Sequence, residues 1–317
     1  MSIYCVAEFS QVILWDDNKQ QPTVTAEFRS HVHRVRLSRH YLVVALQNSI
    51  HVYVLSSPLQ LLSVYETADN PLGLCCLGSK LIAFPGRTAG QIQMVEVPSG
   101  NISIIPAHST PLRALELSPN EEILASASET GTLVRTFSTT NCVRTGELRR
   151  GVDRADIYSI AFSPSNKVLA VTSDKATLHV FDVPGASDPQ ERSYSTRPHS
   201  NSTVSASSAN EENVQNKWGI LGKLPLMPRV FSDTYSFASA HFAINDTPPP
   251  GYGSSTNGPI PGIPEGKPKK GIIKWKDDSM ILVAGAGRNG VIERFYFGEG
   301  ENGRRVVRTG WKRYLGN

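Results

Sequence analysis

The chain has 317 residues, a formal net charge of +4 from 32 Lys+Arg and 28 Asp+Glu, and 39% hydrophobic residues. That length suits one large domain or two ordinary ones, and so mild a charge excludes bulk binding to nucleic acid and makes any anion site local. Four cysteines (Cys5, Cys75, Cys76, Cys142) form no CxxC pair, residues 1–10 lack a signal-peptide pattern, and no apolar run approaches a bilayer span, so neither a zinc site nor an integral membrane segment is expected and any membrane contact is peripheral.

In chain order, short strands are predicted at residues 11–16 and 23–28, then at 42–46, 50–54 and 61–66 in a unit that opens at His33. The next unit places strands at 72–76, 81–84 and 91–95, where the adjacent Cys75 and Cys76 fit a buried strand better than a disulfide framework. Two closer copies follow. Leu117-Ser118-Pro119 through Ser128 matches Phe162-Ser163-Pro164 through Ser173 at an offset of 45, and the match continues with Glu129 on Asp174, Thr132 on Thr177 and Leu133 on Leu178. One extra residue in the first copy then sets Arg135 opposite His179 and Phe137 opposite Phe181. A last unit has strands at 271–275, 280–284 and 291–295. A period of ~40–45 residues with several short strands per unit is the signature of a β-propeller blade. Five blades are nearly complete and a sixth is partial at the start, so the chain is expected to begin inside a blade.

Two segments interrupt the pattern of this single domain, 1–317. The insertion at about 186–234 is Ser-, Asn- and charge-rich over 187–216, which predicts disorder. Its downstream end alternates apolar residues with cations and has no acidic residue: Trp218, Ile220, Leu221, Leu224, Leu226, Met227 and Phe231 stand among Lys217, Lys223 and Arg229. That is the composition of a segment that enters a membrane interface while its cations stay at the headgroups. The alternative is a loop that folds back and buries Trp218 and Phe231. Residues 247–270 form a Pro/Gly-rich linker.

Between the two closest copies lies Leu148-Arg149-Arg150-Gly151. Successive side chains of an extended segment point to opposite faces, so Arg149 and Arg150 reach two different pockets, and the guanidinium fork suits phosphate. The competing reading is a protein-only scaffold in which these arginines tie blades together through carboxylates such as Glu147 and Asp153. Residues 285–290 spell G-x-G-x-x-G, but a strand pattern follows, so the segment reads as a hairpin turn and not a dinucleotide site. No set of nucleophile, base and orienter assembles, and no enzyme activity or cofactor is expected.

These patches together resemble the PROPPIN family, WD-repeat β-propellers of the WIPI type that bind polyphosphoinositides. The resemblance rests on Leu148-Arg149-Arg150-Gly151, Tyr65-Glu66-Thr67 with Asn70-Pro71-Leu72-Gly73, Leu81 through Gly86, Pro106-Ala107-His108, and Ser173-Asp174-Lys175 with Thr177-Leu178-His179. Leu before the arginine pair is similar to the subgroup of WIPI proteins three and four and the fungal SVP-like proteins. The resemblance implies an all-β, seven-bladed fold of which the first blade and the opening strand of the second are missing here. It implies a first headgroup site at His108, Ser128, Thr132, Arg135 and Arg149, and a second at Arg150, Ser173, Lys175, Thr177 and His179. Thr130 stands where the second copy has Lys175, which makes the first site the weaker. By the same resemblance the lipids are phosphatidylinositol 3-phosphate and phosphatidylinositol 3,5-bisphosphate, and an autophagy-related lipid-transfer protein binds near Asn70 and Pro71. The chain then acts as a monomer in the cytoplasm and on vacuolar, endosomal or autophagosome-forming membranes. His108 and His179 are expected to strengthen binding at mildly acidic pH.

Overall fold

The structure is a computed structural model that describes residues 3–8, 10–56, 58–184, 234–243, 270–285, 291–300 and 303–313. The apolar membrane-insertion residues Trp218 to Phe231 and almost all of the 247–270 linker lie outside the described residues.

Among the described residues the strands form six sheets in chain order, antiparallel except for one short strand added to the fourth. The first has β1 (Ile3–Glu8), β2 (Gln11–Asp16) and β3 (Gln21–Glu27). The second has β4 (Arg34–Leu37), β5 (Tyr41–Ala45), β6 (Ser49–Val54) and β7 (Gln60–Glu66). The third has β8 (Cys76–Leu77), β9 (Leu81–Pro85), β10 (Gln91–Glu96) and β11 (Asn101–Pro106). The fourth has β12 (Leu112–Leu117), β13 (Ile123–Ser128), β14 (Leu133–Ser138) and β15 (Arg144–Arg149). The fifth starts with β16 (Ile157–Phe162), β17 (Val168–Ser173) and β18 (Thr177–Asp182). After the insertion come β19 (Thr234–Tyr235) and β20 (Ala238–His241); β20 closes the fifth sheet on β18. The sixth has β21 (Ile272–Asp277), β22 (Met280–Ala284), β23 (Val291–Gly300) and β24 (Gly303–Arg313). β22 and β23 pair antiparallel across residues 285–290, so the G-x-G-x-x-G spelling joins two strands of one sheet.

The sheets stack face to face, and the side-chain alternation shows how. On β13, Ile123, Ala125 and Ala127 belong to the core shared with the fifth sheet, whereas Leu124 belongs to the core shared with the third. Both faces of the strand are therefore dry, and all six β13 residues are buried, as are all six of β17. This is why these strands read as unbroken apolar runs rather than as alternating ones. Truncating a large side chain here, such as Leu124, costs about 2–5 kcal/mol.

The repeat is also visible in backbone strain. Glu121 (φ 61°) and Asn166 (φ 63°) are 45 residues apart and both left-handed, as are Gly131 (φ 61°) and Ala176 (φ 56°). At Gly131 the reason is steric as well, since a Cβ there would lie 1.7 Å from the Ala155 carbonyl oxygen.

Two strand predictions are corrected. Of residues 72–76 only Cys76 is in a strand, the short β8, because Asn70 and a left-handed Gly73 (φ 57°) hold the chain in a turn. β1 was not read from the sequence at all.

Candidate functional site

The β13–β14 and β17–β18 turns, with the chain leaving β15 between them, bring the two predicted residue sets to one end of the fourth and fifth sheets. Arg149 ends β15, and its backbone pairs with Leu133 on one side. The Arg150 backbone N–H donates to the Thr132 carbonyl at 2.9 Å, which ties the arginine pair to the β13–β14 turn.

In the first set, His108 precedes β12 and its Nε2 lies 2.9 Å from Ser126 Oγ. Ser128 at the end of β13 bonds the Thr130 hydroxyl at 2.8 Å. Arg135 is cross-strand from Glu147. Its Nε donates to Glu147 Oε2 at 2.8 Å and its Nη1 to the Ala107 carbonyl at 2.6 Å. Glu147 also accepts from Arg144 Nη1 at 2.9 Å. Thr132 contributes its carbonyl, as above.

In the second set, Arg150 is only 8% exposed. Its Nε donates to the Gly131 carbonyl at 2.8 Å and its Nη2 to the Asp153 carbonyl. Burial lowers its pKa, while Asp174 and Asp153 act in the opposite sense. Ser173 Oγ, buried at the end of β17, lies 3.3 Å from Thr177 Oγ1 and accepts from the Lys175 backbone N–H at 3.4 Å. Lys175 is half exposed, with Nζ 3.8 Å from Asp174. His179 is held at both ring nitrogens, Nε2 3.1 Å from Thr177 Oγ1 and Nδ1 3.1 Å from Ser236 Oγ.

Both histidines are kept neutral. Burial, then the Arg135 charge, takes His108 from 6.5 down to about 4. Burial, then Arg150 and His241, takes His179 down to about 4. In the free protein they therefore serve as hydrogen-bonding groups, because each is partly buried beside a permanent cation.

The sequence does not mark Ser126, Glu147 as the partner of Arg135, or the pairing of residues 234–235 with the fourth sheet; the fourth strand expected at about 235–244 is β20, on the fifth sheet. Thr234 and Tyr235 pair parallel with Leu148 and Arg149 on the outer edge of the fourth sheet. The limb that returns from the insertion therefore lies along Leu148 and Arg149 before it enters the fifth sheet. Of the two carboxylates considered for the arginines, Glu147 serves Arg135 and Arg144, and Asp153 meets Arg150 through its backbone carbonyl.

The sixth sheet holds the same position in a closed form. Glu293 stands two residues before Phe295, as Arg135 and His179 stand two before Phe137 and Phe181. It is 2% exposed, accepts the Ala243 N–H at 2.5 Å and faces Arg308 Nε at 2.7 Å.

The partner-contact prediction at Asn70 and Pro71 divides. Asn70 is 2% exposed. Its side chain bonds the Leu74 N–H at 2.7 Å and the Leu74 carbonyl at 3.2 Å, so it holds the turn and cannot itself present a contact. Pro71 beside it is exposed. Among the described residues no helix is long and apolar enough to cross a membrane.

The stacked, mostly four-stranded sheets, with matched residue sets at the seam of the fourth and fifth, define a repeat β-propeller. The chain belongs to the PROPPIN family, whose sequence profile it matches over residues 7–210. It is 54% identical to SVP1-like protein 2 of Emericella nidulans, over 97% of this chain and 93% of that protein. It is 38% identical to autophagy-related protein 18e of Arabidopsis thaliana over 54% of this chain and 47% of that one. Among solved structures, Kluyvelomyces marxianus Hsv2 superposes with a TM-score of 0.71 at 20% identity, covering 99% of this chain and 81% of that one. The KlAtg21 propeller, solved in complex with the coiled-coil of AgAtg16, superposes with a TM-score of 0.65 at 15% identity, covering 99% of this chain and 82% of that one. The family is one of non-enzymatic, phosphoinositide-binding propellers tied to autophagy.

Proposed function

We propose that this chain is a peripheral effector that docks edge-on, with one headgroup in each pocket flanking Arg149 and Arg150. The reading is supported by the position of that arginine pair between two copies of one repeat, each copy carrying hydroxyls and a histidine in matching places. The lipids are phosphatidylinositol 3-phosphate and phosphatidylinositol 3,5-bisphosphate. A phosphate monoester carries about −1.5 to −2 charge at neutral pH, and each charge-assisted contact contributes roughly 1.5–3 kcal/mol. Two pockets and the 218–231 insertion act together, because the second contact is intramolecular once the first has formed. Pro71 belongs to the surface that receives an autophagy-related lipid-transfer protein, and the membranes are vacuolar, endosomal or autophagosome-forming.

A second reading, the protein-only scaffold, draws on the internal engagement of Arg135 and Arg150 with Glu147 and backbone carbonyls. Liposome co-flotation separates the two. The wild type is expected to float with vesicles that contain phosphatidylinositol 3-phosphate and not with vesicles that lack it, and Arg149→Thr/Arg150→Thr is expected to lose this flotation while circular dichroism shows it folded. No lipid-dependent flotation by a folded wild type leaves the scaffold.

A further inference from the structure

We propose that Ser236, on the limb returning from the insertion, is a positioning residue of the second pocket that sets the direction of its hydrogen bonds. The inference rests on the headgroup reading above. Ser236, His179, Thr177 and Ser173 form one chain, with contacts of 3.1, 3.1 and 3.3 Å. The first two run through the two ring nitrogens of His179, which is neutral in the free protein.

A neutral imidazole has one N–H donor and one acceptor nitrogen, so the chain has two settings. In one, His179 Nδ1–H donates to Ser236, and Nε2 accepts the Thr177 proton. Thr177 then accepts from Ser173, both pocket hydroxyl protons aim at the imidazole, and an anion meets lone pairs. In the other, Ser236 donates to Nδ1 and Nε2–H donates to Thr177 Oγ1. The Thr177 and Ser173 protons are then free to point outward. Ser173 already accepts the Lys175 N–H, which leaves its own proton available. Only the second setting offers the hydroxyls as donors to a phosphate, which accepts and never donates when dianionic.

Ser236 is the donor that setting needs, and its backbone is fixed on both sides, which holds its hydroxyl at Nδ1. Tyr235 before it is paired on Arg149, and the N–H of Phe237 after it donates to the Val180 carbonyl at 3.1 Å. One short limb therefore touches both pockets at consecutive residues, Tyr235 at the first arginine and Ser236 at the second pocket's histidine.

The test has two readouts on the full chain. Nitrogen-15 NMR of His179 in the free protein is expected to show the Nε2–H tautomer, and an Nδ1–H tautomer overturns the proposal whatever the chain binds. Soluble inositol 1,3-bisphosphate is then titrated into an Arg149→Thr background, where the second pocket alone is read. Ser236→Ala is expected to weaken binding roughly three- to tenfold, the worth of one neutral hydrogen bond. Ser236→Thr is expected to restore it, and Ser236→Ala is expected to add nothing once His179→Ala is present. Equal binding by Ser236→Ala and its parent overturns the positioning role alone. An Arg149→Thr parent that binds no headgroup overturns the second pocket as a headgroup site and the role of Ser236 with it.

Discussion

The two pockets share one backbone and differ at the middle of the third strand. The first places Arg135 there and neutralises it with Glu147, which Arg144 also holds. The second places His179 there and surrounds it with hydroxyls. On the proposed reading, a phosphate in the first pocket would compete with an existing ion pair, whereas one in the second would meet hydroxyls. At the same position in the sixth sheet, Glu293 supplies a carboxylate of the chain itself and is sealed by Arg308. The repeat thus provides the place, and one side chain per copy decides whether it holds an ion pair with a neighbouring strand, a hydroxyl cluster or a carboxylate facing Arg308.

The largest expected break in the comparison is Arg150→Ala. It removes a charge-assisted partner from the second pocket, a loss of about tenfold to a hundredfold in headgroup affinity at 1.5–3 kcal/mol. It also leaves the Gly131 and Asp153 carbonyls without this donor, at about 1–3 kcal/mol for each that stays dry. Thermal melts should therefore show a lower Tm for Arg150→Ala than for the wild type, whereas equal melts would show that Arg150 is not a structural tie.

Glu147→Gln should act in the opposite direction. Removing the carboxylate frees Arg135, and headgroup affinity read in an Arg150→Thr background is expected to rise about two- to fivefold, the size of a partly exposed ion pair. An unchanged or lower affinity there means that Arg135 does not face the ligand.

The pH dependence sharpens the difference between charge and hydrogen bonding. Both histidines have folded pKa values of about 4, below the usual 6.5. Stability that depends on their neutral forms is complete above pH 6.5 and is lost as pH falls toward 4, because the unfolded chain takes up protons that the folded chain resists. Tm should fall over that window, and less so in His179→Gln. Headgroup binding should not strengthen as pH drops toward about 6 and should weaken below it, where the phosphate monoester loses its second charge. Tighter binding in mild acid would restore the histidines as charged ligands.

Much of this was legible in the sequence because it repeats. The offset of 45 between Ser128 and Ser173 carries the two turns, and the unbroken apolar runs at β13 and β17 mark strands dry on both faces. The Arg149-Arg150 pair stands out for the same reason, at a seam between matched copies. The Arg135–Glu147 pair follows from register, yet sequence proximity drew Glu147 toward Arg149 instead. β19 carries no periodic signal: two residues on the edge of the neighbouring sheet are placed by a partner and not by their own pattern. Ser236 lies 57 residues from His179, across the insertion, and no local rule joins them. Asn70 shows the converse error, since a motif residue read as a contact is spent inside its own turn.

The central claim is two phosphate pockets, one for each arginine. Calorimetric titration of the folded chain with soluble inositol 1,3-bisphosphate measures it most directly. The account predicts two sites per chain in the wild type, one in Arg149→Thr, one in Arg150→Thr and none in the double variant. A single site abolished by either substitution, or none in the folded wild type, contradicts it.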